Sequence, residues 1–184
     1  MSWLDTYRAF ARYNRWMNER LYALAAELGD EERKRDVGAF FGSLHATLEH
    51  LVFADRVWLA RFTADSAEPV PLGQDGRPIE VKGFGRNAFP SFERLRAERI
   101  ETDQRIEAWI ETLEEALLDR DFTYRNLAGE SQSHPMWWAV QHFFNHQTHH
   151  RGQATTILKQ LGRDPGVTDY VQFLRLDAAG KAWS

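Results

Sequence analysis

Four stretches of the chain place apolar residues at the period of an α-helix. Between residues 3 and 28 there is neither Pro nor Gly, and Phe10, Tyr13, Met17, Leu21, Leu24 and Leu28 recur at helical spacing. That pattern predicts an amphipathic helix ended by Gly29. A second helix is expected over about 38–62, with Leu44, Leu48, Leu51, Phe53, Val57 and Trp58 among its apolar positions. The segment "DSAEPVPLGQDGRPIEVKGFGRNAFP" then holds four of the six prolines and four of the twelve glycines, so it reads as a long connection. Ser91, followed by Glu93 and Glu98, suits the start of a third helix reaching about 118. Residues 121–133 read as either a short hairpin or an extended loop. His134 and Pro135 open a fourth helix to about Leu161, stopped by Gly162, and "DPGVTDYVQFLRL" adds a short terminal helix.

Four long helices in 184 residues predict an all-α fold, a helical bundle in a single domain over residues 1–184. The link between the second and third helices is too long for a tight hairpin, so a crossover along the bundle is expected. Composition narrows the function. The chain is 43% apolar and 27% charged, ordinary for a globular protein. Its net charge of -4 argues against nucleic acid or an anionic membrane as a partner. It has no cysteine, hence no disulfide, no thiolate nucleophile and no zinc–sulfur site. The opening "MSWLDTYRAFARYNRW" scatters charges through its length and does not read as a secretory signal. No apolar run is long enough to span a bilayer, and the cytoplasm is the expected compartment.

Of seven histidines, three fall within five residues in "FNHQTHHRGQ". His146 and His150 are four apart, so they share a helix face and can converge on one ion. His142 and His146 form a second such pair, but His142 and His150 stand about 12 Å apart along the axis, too far for one ion with bonds of about 2.1 Å. His149 lies about 100° around from His150. The face of His146 and His150 continues through Ala154, Ile157, Leu158 and Leu161, which points it into the bundle. His142 lies upstream, one turn after Trp138, and either packs there or lines the mouth of a pocket. On the second helix, His50 sits in the dense apolar pattern "LEHLVFADRVWLARF". Burying it without a partner is costly, and an ion shared with His146 and His150 would account for all three. His45 falls on a different face. The candidate metal ligands are therefore His50, His146 and His150.

Three imidazoles leave a zinc-like ion an open position for water or substrate. Nickel and iron also accept imidazole, although no ligating carboxylate accompanies the trio as an iron oxygenase would need. The metalloprotease pattern H-E-x-x-H fails, because Gln147 stands where the glutamate base belongs. Glu49 and Asp55 are near His50 in sequence but off its face; Asp55 either orients Arg56 or meets a group on an opposing helix. Arg151 either anchors a neighbouring helix or lines a pocket for an anionic substrate. Gly152 costs about 1 kcal/mol inside a helix, which points to close helix–helix approach. Gln153 is placed to hydrogen-bond near the site, His50 being one partner. Trp58, Trp137 and Trp138 are expected to fill core or interface positions, or to wall a substrate pocket. Asn18 is expected to face the site from the first helix.

The stretches "HFFNHQTHHRGQATTILKQLG", "LEHLVFADRVWLARF" and "YNRWMNERLYAL", with "YRNLAGES" and the "LGRDPGVTDYVQFLR" tail, resemble the DinB family across essentially the whole chain. The resemblance implies a four-helix bundle of up-down-down-up topology, a homodimer, and a divalent ion, zinc or nickel, on the positions matched by His50, His146 and His150. It also implies a small-molecule substrate and, by likeness to better understood relatives, a low-molecular-weight thiol such as bacillithiol or mycothiol as cosubstrate. Expected function is then metal-dependent S-transfer from such a thiol to a small electrophile. A non-catalytic metal-binding stress-response protein, or a hydrolase with a base not yet identified, are the alternatives.

Overall fold

A computed structural model describes residues 2–63, 88–126 and 128–183. In chain order these form α1 (Trp3–Ala26), α2 (Asp30–Lys34), α3 (Leu44–Thr63), α4 (Phe92–Thr112), α5 (Glu115–Leu118), β1 (Asp121–Arg125), β2 (Ser131–Pro135), α6 (Met136–Gln160) and α7 (Tyr170–Ala178). The core is all-α, but it is not the simple bundle of four helices and a tail that the periodicity predicts. Seven helices and a β-hairpin are present among the described residues.

Each difference has a local cause. The first helix stops at Ala26, and Gly29 begins the short α2, its carbonyl accepting from the Arg33 amide at 3.0 Å. The second long helix starts at Leu44 rather than near 38, because Gly38 and Gly42 adopt φ of 70° and 84°, a left-handed backbone that breaks a helix. Ser43 caps its start, its Oγ accepting from the Ala46 amide at 3.2 Å. The third ends at Thr112 because Leu113 is extended, and α5 is a separate turn. Residues 121–133 are mostly hairpin, with Asp121 opposite Pro135 and Arg125 opposite Ser131. His134 and Pro135 thus end β2, and α6 begins at Met136. Gly162, at φ 78°, closes α6 as expected: its amide bonds to Lys159 and that of Arg163 to Leu158. The crossover expected between the second and third long helices falls largely outside the described residues.

The long helices pack as a ring in the order α1, α4, α3, α6. Contacts between α1 and α4 run in opposite senses, from Tyr22 on Phe92 through Asn18 on Asp103 to Arg8 on Glu111. Those between α3 and α4 run in the same sense, from Asp55 with Arg99 to Phe62 on Trp109. His50 with His146 and Trp58 with His142 set α6 antiparallel to α3.

The interior has two apolar parts. One gathers Met17, Leu21, Leu44, Leu48, Leu51, Ile157, Leu158 and Phe173; the other gathers Tyr7, Leu59, Ile106, Trp109, Val140 and Phe143. Each fully buried aliphatic or aromatic side chain there contributes about 1.5–3 kcal/mol. Between them runs a belt of buried polar groups drawn from all four long helices. Arg99, 2% exposed, donates to Asp55 Oδ2 at 2.6 Å and lies 2.9 Å from Asp103 Oδ1. Asn14 and Asn18 donate to Asp103 at 2.9 and 3.0 Å. Arg151 donates to Asn14 Oδ1 and sits 5.2 Å over the Tyr13 ring. Gln147, 0% exposed, lies against Asp55. The two guanidinium groups and two carboxyl groups balance in charge.

Candidate metal centre

Because α3 and α6 are antiparallel neighbours, the inward stripe of one meets that of the other. His50 and His146 approach to 3.2 Å between their Nε2 atoms, and one ring nitrogen from each of His50, His146 and His150 lies within 4.8 Å of the others. Two nitrogens held about 2.1 Å from a tetrahedral ion stand roughly 3.4 Å apart. The spacing therefore fits a divalent ion, and so does the chemistry of the donors. Burial first, then the neighbouring imidazoles of His150 and His50, lower the pKa of His146 to about 3. Burial also lowers that of His150, against the opposing hydrogen bond from Gln153. At neutral pH these two rings are uncharged and offer lone pairs, as metal ligands must.

The tautomer of His150 is settled by a neighbour. Gln153 Oε1 lies 2.7 Å from His150 Nδ1. An amide oxygen only accepts, so Nδ1 carries the proton and Nε2 is left to donate its lone pair. Gln153 thus serves His150 rather than His50, and its amide nitrogen lies 3.4 Å from His149 Nε2. Gln153→Ala is expected to keep the fold and to weaken divalent-ion affinity by about 10–100-fold. Competition against a chromogenic chelator measures it; unchanged affinity would show that His150 needs no such partner.

The loop over residues 36–43 closes one side. Phe41, 5% exposed, stacks on His50 with ring centroids 4.2 Å apart and reaches His150 at 5.3 Å. On the other side lies a cavity of about 140 Å³, opening onto His50 and His146 and walled by Phe53, Val57 and Trp58. His142 lines it too, 5.7 Å from His146 between centroids. Of the two roles open to His142, lining is the one the geometry gives.

His149 is exposed and outside the cluster. His45 is buried elsewhere, donating from Nε2 to the Phe89 carbonyl at 2.8 Å, while Glu49 accepts from the Phe89 amide at 2.8 Å. Together they fasten the start of the third long helix to the second. Asp55 meets Arg99 on the opposing α4, and Arg151 anchors α1 rather than lining a pocket for an anion. Asn18 turns to Asp103, away from the histidines. Trp137 and Trp138 are exposed and fill no core position. A Cβ added at Gly152 meets open space, so close helix approach does not explain that residue, and nothing in the structure does.

The polar belt escaped the sequence reading. Its signal was present: Asn14 and Asn18, Arg99 and Asp103, and Gln147 and Arg151 are three pairs spaced i,i+4, each on one helix face.

The model of the DinB family matches residues 1–181. Protein DinB of Bacillus subtilis is 22% identical over 170 residues, covering 92% of this chain and 94% of that protein. The crystal structure of a DinB-like protein from Bacillus cereus superimposes with a TM-score of 0.57 at 19% identity. It matches 86% of this chain and 95% of the other. At that identity the likeness is one of fold.

Proposed function

The chain belongs to the DinB family, and from that premise and the site's geometry we propose that His50, His146 and His150 hold one divalent ion, zinc or nickel, in an enzyme that activates a low-molecular-weight thiol for S-transfer to a small electrophile. The observation that carries this reading is the convergence of three ring nitrogens within 4.8 Å, one of them with its tautomer fixed. When bound, the ion supplies a positive charge that lowers the pKa of a thiol sharing it. The chain's own residues orient and shield. Gln153 holds His150, Phe41 screens the imidazoles from water, and Phe53 and Trp58 wall the space beside them.

The buried carboxylates favour a thiol over hydrolysis. Glu49 is engaged with the Phe89 amide and Asp55 with Arg99, so neither is placed to take a proton from water at the histidines. A thiol brings its own acidic proton, and a chain without cysteine takes that thiol from outside. We further place the enzyme in the cytoplasm as a homodimer acting on small molecules rather than on nucleic acid or a membrane. The net charge of -4 speaks against nucleic acid or an anionic membrane as a partner, and no described helix is long and apolar enough to cross a membrane.

Cobalt substitution tests the reading. Bacillithiol or mycothiol added to the cobalt-loaded protein is expected to produce a sulfur-to-cobalt charge-transfer band in the near ultraviolet. Silence across both thiols at millimolar concentration would sink it.

A further inference from the structure

The cavity beside the histidines has a cation at its far end. On α3, His50, Ala54, Val57 and Arg61 follow one another at three- and four-residue steps, with Trp58 four beyond Ala54 and three before Arg61, so they form a single stripe along the cavity. Arg61 stands eleven residues beyond His50, about 16 Å of helix axis. Side chains on a helix lean toward its N-terminus, which brings the guanidinium back over Trp58, 4.7 Å from the ring centroid. Tyr124, carried in by the hairpin, meets the same cation at 4.9 Å, its own ring lying 5.2 Å from that of Trp58. Among the described residues Arg61 makes no ion pair and no hydrogen bond, although it is half-buried. The buried arginines behave differently: Arg33 donates to the Ala25 and Leu28 carbonyls, Arg56 meets Glu98, Arg99 meets Asp55 and Asp103, and Arg151 meets Asn14.

None of the residues lining the cavity is acidic, and His142 adds further N–H capacity beside Arg61. Held against a corner formed by the two rings, the guanidinium keeps an edge that binds oxyanions unfilled by the described residues. We infer that this cavity is a recognition subsite for a small molecule that ends in a carboxylate, with Arg61 as the residue that selects it. A planar monoanion matches the guanidinium fork. The apolar walls and the volume of about 140 Å³ disfavour a bulky, doubly charged phosphate. The body of the molecule lies along Phe53, Val57 and Trp58, and its other end reaches His50 and His146. That orientation rests on the ion reading above; the carboxylate subsite itself does not.

The test separates the two. Zinc-loaded and metal-free protein are titrated with short ω-mercaptoalkanoates of graded length and with the matching mercaptoalcohols. Binding is followed at the Trp58 indole N–H resonance, assigned with Trp58→Phe. The acid is expected to bind at least about tenfold more tightly than the alcohol of equal length, as befits one charge-assisted pair. Arg61→Gln should bind both equally while keeping its full zinc content, and Arg61→Lys should retain only part of the preference, since it keeps the charge and loses the fork. Equal binding of acid and alcohol by the unaltered protein, or a preference that survives in Arg61→Gln, overturns the subsite. If zinc tightens neither the acid nor the alcohol, and the acid's preference still vanishes in Arg61→Gln, the subsite stands and it is the ion's part that falls.

Discussion

Replacing Arg99 with methionine is expected to destabilise the protein by about 3–5 kcal/mol. The side chain is 2% exposed and bridges Asp55 and Asp103. Methionine fills a comparable space but leaves two buried carboxyl groups facing one another. Both are already raised by burial with Arg99 opposing the shift, and Asp103 stands at about 6. Without Arg99 they rise further. A carboxyl whose folded pKa exceeds its unfolded value keeps a proton that the unfolded chain releases, so folded stability falls as pH rises through that interval. The deficit of the variant should therefore be smallest near pH 4 and should widen as pH climbs past 6. Urea unfolding across that range measures it. A deficit that is the same at every pH would mean that Arg99 matters for packing alone.

The second large effect concerns the ion. Purified protein is expected to carry about one divalent ion per chain. Alanine at His50, His146 or His150 should each lower affinity by more than the roughly 100-fold that loss of a supporting hydrogen bond costs. His149→Ala should leave it unchanged, since His149 is exposed and outside the cluster. An ion held between α3 and α6 binds the folded chain in preference to the unfolded one, so chelation should also lower the melting temperature. His50→Ala should melt at the same temperature with and without chelator. Elemental analysis of untagged variants, paired with melting curves, decides this; a His50→Ala protein that retains its ion would remove His50 from the ligand set.

What was legible in the chain follows from what periodicity can encode. An i,i+4 pair such as His146 and His150 is a statement about one helix, and the apolar run around His50 says that this ring is buried. Their meeting is a tertiary event, but burial of three imidazoles narrows the solutions enough to infer it. Charged residues are harder to place, because the same letters serve a solvated face and a buried pair. Arg99 and Asp103 lie in "RLRAERIETDQRIE", where a row of like residues disguises the two that turn inward. Asp55 was more readable, as an acid between Phe53 and Val57 needs a partner, and that partner proved to be on α4. The start expected near residue 38 carries the second long helix through Gly38 and Gly42, whose left-handed backbone no apolar pattern reveals. Arg61 gave no sequence signal at all, because its meaning depends on Tyr124 arriving from the hairpin.

The belt of charges also acts as a ruler. Leucine faces tolerate sliding, since one apolar ridge seats nearly as well as the next. A slip of α6 by a single turn would shift Arg151 about 5.4 Å from Asn14, leaving a guanidinium stranded among aliphatic side chains. The same slip would carry His146 past His50 by that distance. Alignment of the imidazoles is thus set by the contacts of Gln147 and Arg151 with Asp55 and Asn14, about 100° around α6 from the histidines. Either apolar half can be repacked, volume for volume, without retuning the histidines, provided that the ruler between the halves keeps its marks.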